Sequence, residues 1–213
     1  MDFSGFDPED FQAFVDRSLS ARVEYIRDVL HPRMRSLGEA LAKRLAEKTG
    51  VELRCQLRSG RWHRNPWATW VSAISPTEPE RSDPSRPRLS VFLDPDEVIA
   101  GFCQSIWRPR WRKVTRRASE LAEVISVAAK QGKLDIAIAH WRDEGRTTLK
   151  YRTAKRALAA AAELGQDFFI VGRNYLWPDG ERLLCSPRFL DEATRVFEAA
   201  WPVYHFAFFG ERA

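Results

Sequence analysis

Between Trp107 and Arg117 six cations, Arg108, Arg110, Arg112, Lys113, Arg116 and Arg117, are interleaved with two indoles, Trp107 and Trp111. Guanidinium and ammonium groups neutralise phosphates, and an indole beside them can stack on an unpaired base or on a guanidinium plane. Apolar spacing predicts a long helix from about Arg110 to Gln131, which sets several of these cations in its first turn. The helix macrodipole disfavours an exposed cation there by about 0.3–1 kcal/mol each, so a bound phosphate would offset that cost. The competing reading makes both tryptophans core or rim residues and neutralises the arginines with acids such as Glu120 and Glu123.

A second run mixes the same residue types: Arg54, Arg58, Arg61, Trp62, His63, Arg64 and Trp67. It could share a sheet face with the first, Trp62, His63 and Arg64 adding contacts to the same anionic ligand. Its alternative reading is a basic strand edge that discourages pairing with another chain. Residues 51–75 carry +3 and residues 108–117 carry +6, while the remainder sums to −4, so the overall +5 is a local excess rather than a uniform coat.

The histidines, His31, His63, His140 and His205, are isolated from one another, and no HExxH or His-and-Cys knuckle occurs. No metal or other cofactor is expected. His140 follows Ile136 and Ile138 and reads more simply as a strand-end histidine than as a general base. Asp135 with Lys150 downstream permits metal-dependent nuclease chemistry only faintly. Arg173, in Gly172-Arg173-Asn174-Tyr175, is a minor candidate ligand contact at a strand end. P-loop, GxGxxG and GxSxG signatures do not occur.

The elements that must position these residues follow from pattern. Asp7-Pro8-Glu9-Asp10 caps a short helix among Phe3, Phe6, Phe11 and Phe14, a docking segment. Leu19, Val23, Ile26, Leu30, Met34, Leu37, Leu41 and Leu45 predict two helices, or one kinked at His31-Pro32, closed by Gly50. Val51, Leu53, Cys55 and Leu57 open a sheet, Trp67 to Ile74 continues it, and Pro76 to Pro87 is a loop. Around Asp94-Pro95-Asp96-Glu97 a hairpin competes with a capped helix, and strand formers from Phe102 to Trp107 favour the hairpin.

Beyond the long helix, which Gly132 should stop, Leu134–Trp141 is a strand and Thr153 caps an alanine-rich helix ended by Gly165. Phe168–Tyr175 is a further strand, and Ser186-Pro187 opens a last helix after the turn Trp177-Pro178-Asp179-Gly180. The order indicates α+β: N-terminal helices packed on a mainly antiparallel sheet, with further helices on it.

At 213 residues and 44% hydrophobic content the chain has material for one domain spanning 1–213. No run approaches the ~20 apolar residues of a membrane span, and the N-terminus lacks the basic start of a signal peptide. Cys55, Cys103 and Cys185 form no disulfide framework, which suits a reducing, cytoplasmic setting.

The pattern of Phe6, Asp10-Phe11, Phe14, Leu19, Arg22, His31-Pro32-Arg33-Met34 and Leu37-Gly38-Glu39 resembles the start of the YktB-like family of bacterial proteins. Arg61-Trp62-His63-Arg64-Asn65-Pro66 with Thr69-Trp70-Val71 is similar to that family's basic stretch and central strand, and Trp201-Pro202-Val203-Tyr204 to its terminus. Pro76 to Pro87 replaces the family's Arg-Gly-Tyr-Lys. The resemblance implies a compact α+β domain and carries no catalytic residues. The residues themselves point first to a non-enzymatic module that binds nucleic acid or another anionic ligand. An enzyme using His63, His140 or Asp135 on a phosphorylated substrate is one alternative, and a domain that anchors a protein partner through exposed tryptophans is another.

Overall fold

The structure, a computed structural model, describes residues 3–15, 18–59, 68–77, 86–106, 111–112, 114–142, 145–163 and 167–210. Its seven strands are β1 (Arg54–Ser59), β2 (Thr69–Ile74), β3 (Arg88–Leu93), β4 (Glu97–Ser105), β5 (Asp135–Arg142), β6 (Gly145–Tyr151) and β7 (Phe168–Leu176). They form one antiparallel sheet in the order β1-β2-β3-β4-β7-β5-β6. The helices are α1 (Pro8–Gln12), α2 (Leu19–Tyr25), α3 (His31–Thr49), α4 (Ala118–Gly132), α5 (Ala154–Glu163), α6 (Glu181–Leu184) and α7 (Arg188–Phe209). This is the α+β architecture that the element order indicates.

The contacts divide the chain into two compact units. The first comprises Met1–Glu80, Ser90–Ala100 and Asn174–Arg195. In it α2 and α3 are joined by a π-helical turn, Ile26–Leu30, directly ahead of Pro32. Proline offers no amide and its ring crowds the carbonyl four residues back, and a wider turn relieves both conflicts without a break. Beyond it α3 buries Met34, Leu37, Gly38, Leu41, Ala42 and Leu45, as the spacing predicts, and Gly50 ends it at φ 72°. α2 buries nothing, and Leu19 is 47% exposed although it fits the same apolar rhythm.

α3 lies close on β1 and β2 because Gly38 has no side chain: a Cβ there would stand 2.1 Å from Val71 Cγ2 and 2.6 Å from Cys55 Sγ. The N-terminal segment docks as its aromatic content suggests. Phe11 stacks on Trp177 at 4.1 Å, Phe6 meets Phe189, and the Phe6 amide donates to the Leu184 carbonyl at 2.9 Å. Asp10, wholly buried, receives the Asp7 amide at 2.9 Å, the Tyr25 hydroxyl at 3.0 Å and the Arg33 guanidinium. Burial nevertheless raises its pKa above the usual carboxylate value.

Between β3 and β4 the hairpin prevails over the helix. The Asp94 amide donates to the Glu97 carbonyl at 3.1 Å, and Asp94 Oδ1 accepts the amides of Asp96 and Glu97 at 3.0 Å each. An Asp that satisfies the turn's own amides fixes the short connection from Asp94 to Asp96.

The second unit comprises Arg81–Leu89, Gly101–Arg173 and Val196–Ala213. β5 pairs antiparallel with β6 and with β7. The sequence reading differs from the structure at three places here. The long helix does not run unbroken from Arg110: Trp111, Arg112 and Val114 are helical, Thr115–Arg117 tighten into a 3-10 turn, and Arg117 leaves helical geometry at φ −114°, ψ 48°. α4 therefore starts at Ala118, and the described cations precede its first turn. At its far end the left-handed residue is Lys133, φ 52°, while Gly132 makes room for Ala199, whose Cβ lies 2.4 Å from where a Gly132 Cβ would stand. Third, Gly145–Tyr151 form a strand, β6, where residue pattern predicts none.

Candidate anion-binding surface

Of the residues singled out as ligand contacts, Trp62, His63, Arg64, Trp107, Arg108, Arg110 and Lys113 lie outside the described residues. Trp111 is buried, 4% exposed, with its ring 5.3 Å from that of Phe169. It is a core residue and presents no face to a base. Arg117 is neutralised: Nε donates to Glu120 Oε1 at 2.7 Å, its other amines reach Glu120 Oε2 and the Gly210 carbonyl, and its carbon lies 4.8 Å from the Phe206 ring centroid. The hydrogen bonds to Glu120 push its pKa further up. Arg112 and Arg116 are exposed and form no ion pair among the described residues.

The candidates for acid, base or metal work do not converge. His140 and Asp135 stand five residues apart on β5, so they project from opposite faces of the strand. Asp135 Oδ2 holds Lys150 Nζ at 2.7 Å, across the β5–β6 pair. His140 Nδ1 lies 3.0 Å from Asp167 Oδ1, and the Asp167 carbonyl accepts the Ile106 amide at 2.7 Å, so a neighbouring carboxylate orients the imidazole at the strand end. Arg173 Nε donates to the Lys133 carbonyl at 3.4 Å, a chain-bracing contact. Among the described residues no three His, Cys, Asp or Glu side chains gather where a metal could be held.

His31 Nε2 is 3.2 Å from Thr69 Oγ1, whose only proton goes to the Arg58 carbonyl at 2.8 Å. The histidine must therefore be the donor, in its neutral Nε2-protonated form. Burial, aided by the Arg35 charge, pulls its pKa down from 6.5 to about 4.

A third basic stretch lies outside the two runs that carry tryptophans. Residues 145–156 contain Arg146, Lys150, Arg152, Lys155 and Arg156 and no acid. A charge count over this window would have found it as readily as the other two. Lys150 and Arg152 line a cleft of about 470 Å3, with Ser126 and Lys130 from α4, Asp135 and Ile136 from β5, and Thr153 and Ala154 at the entry to α5. Three cations and one carboxylate give the cleft a net positive lining. Arg152, Lys155 and Arg156 are exposed, and α5 has no acid in its first turn to balance them.

These features define a class: an α+β protein with a seven-stranded antiparallel sheet and a basic cleft beside its β6 edge. Residues 6–204 match the family described as Domain of unknown function (DUF1054), and the chain belongs to that family. It is 27% identical over 216 residues to a UPF0637 protein of Listeria monocytogenes serotype 4b, covering 96% of this chain and 98% of the relative. A UPF0637 protein of Listeria innocua is 25% identical and one of Listeria welshimeri 26%, each with the same coverage. The match agrees with the resemblance to bacterial proteins of undefined function. No described helix is long and apolar enough to cross a membrane.

Proposed function

We propose that this chain is a non-enzymatic binding module for a phosphate-bearing partner, with single-stranded or irregular nucleic acid the favoured ligand. The observation that carries the reading is a set of exposed cations in the second unit that no carboxylate pairs among the described residues. Arg112 and Arg116 precede α4, Arg152, Lys155 and Arg156 surround the start of α5, and none of the five is ion-paired among the described residues. Exposed cations with no ion-pair partner attract a phosphate-bearing ligand. The enzymatic alternative has less support, because His140 and Asp135 leave β5 on opposite faces. So has a protein partner held by tryptophans, since among the described side chains Trp70, Trp111, Trp177 and Trp201 are buried or half-buried.

The test is a titration of a fluorescent single-stranded oligonucleotide with the full chain across a salt series. The expected log–log dependence is a straight line falling by ~0.7 for each phosphate neutralised. Charge reversal at Arg112 and Arg116 together should weaken binding to every sequence alike. Absence of binding at ~50 mM salt, or an affinity indifferent to salt, rejects the reading.

A further inference from the structure

We infer that the cleft bounded by α4, the start of β5, the end of β6 and the entry to α5 receives a ribonucleoside monophosphate group, free or at the end of an RNA strand. The inference rests on the reading above for its preference for phosphate and goes further in naming the site and the ligand.

The cleft's volume of about 470 Å3 falls within the ~300–1,000 Å3 of small-molecule sites. Its lining includes groups that a bare phosphate would not need. Lys130 and Arg152, both exposed, come from different elements and can converge on one phosphate, Arg152 with two parallel donors. Tyr151, half-buried beside the buried Leu134, supplies a ring against which a base can lie.

The lining also holds Asp135, bonded to Lys150 at 2.7 Å. A carboxylate would weaken a site for phosphate alone. Beside a ribose it has a use, because a carboxylate accepts hydrogen bonds from vicinal hydroxyls while the contact with Lys150 holds it in place. Phosphate, sugar and base thus each have a matching group within one cleft.

Calorimetric titration of the full chain with AMP, adenosine, inorganic phosphate and 2′,3′-dideoxy-AMP tests this. AMP should bind, and the other three should each bind at least about ten-fold more weakly, since each lacks at least one of the matched groups. Arg152→Gln and Lys130→Gln should each lower AMP affinity about ten-fold with unchanged thermal melting, as both side chains are exposed. Asp135→Asn should narrow the gap between AMP and its dideoxy analogue.

A 5′-phosphorylated RNA oligonucleotide that binds more tightly than AMP, and loses affinity in the same variants, identifies the strand end as the source. One that binds no better than AMP identifies the free nucleotide. AMP binding that is absent, or untouched by Arg152→Gln and Lys130→Gln, overturns the inference. If salt-dependent oligonucleotide binding persists in that case, the cleft assignment alone has failed. If AMP binds in the cleft while oligonucleotides do not bind, the nucleic-acid reading alone has failed.

Discussion

Arg117 and Glu120, three residues apart, join guanidinium to carboxylate with Nε 2.7 Å from Oε1. The pair straddles the start of α4, with Arg117 just outside the helix and Glu120 in its first turn. An acid in the first turn suits the macrodipole, and here it also neutralises the nearest arginine. Arg117 should therefore be silent in ligand binding. Arg117→Gln is expected to leave the salt slope of oligonucleotide binding unchanged, whereas Arg112→Gln and Arg116→Gln each reduce it by ~0.7. A slope that falls in Arg117→Gln would show that the internal pair opens to a ligand.

His31 predicts a pH dependence. Its folded pKa, about 4, lies below the ordinary 6.5, so the unfolded chain takes up the proton first. Stability from this residue is complete above pH 6.5 and is lost as pH falls toward 4. Urea midpoints should decline across that window, and those of His31→Gln should decline less. Parallel curves for the two proteins would remove His31 from the account.

Gly38→Ala should destabilise the chain although alanine favours helix by about 1 kcal/mol. The added methyl enters space held by Val71 and Cys55, and overpacking of this kind costs about 1–3 kcal/mol. Denaturant unfolding should show the loss, and Val71→Ala in the same chain should recover part of it. Equal loss with and without the Val71 substitution would mean that the helix shifts instead of clashing.

We propose that residues 1–213 unfold as one domain, since β3, β4, β7 and α7 each contribute residues to both compact units. Far-ultraviolet dichroism and tryptophan fluorescence should then trace a single coincident transition. Two separated transitions would make the units independent domains.

Much of the architecture is legible in residue spacing, because burial imposes a period. The α3 stripe from Met34 to Leu45 and the β3–β4 hairpin set by Asp94 are of this kind. β6 escapes such reading for the converse reason: it is an edge strand whose Thr147, Leu149 and Lys150 are exposed, so no inward set alternates with an outward one. The break at Arg117 is equally hidden, since Val114 and Leu121 keep helical spacing across it and only the backbone departs. Composition draws attention to basic stretches that carry indoles but does not say which of their side chains face solvent. Nothing in Trp-Arg-Lys distinguishes an indole packed on Phe169 from one facing solvent, and nothing in Arg-Arg-Ala-Ser-Glu shows which arginine the glutamate takes.

The π-helical turn at Ile26–Leu30 carries a consequence for descent as well as for packing. Such a turn is one residue of surplus winding, and each residue rotates a helix by ~100°. Side chains ahead of it are thus out of phase with those behind it, which is why an unbroken apolar rhythm from Leu19 to Leu45 maps onto a core only from Ile26 onward. A single deletion inside the turn would bring the two stretches back into phase and swing Leu19 and Val23 to a new bearing. Natural length variation in this segment should accordingly travel together with changes in the polarity of α2.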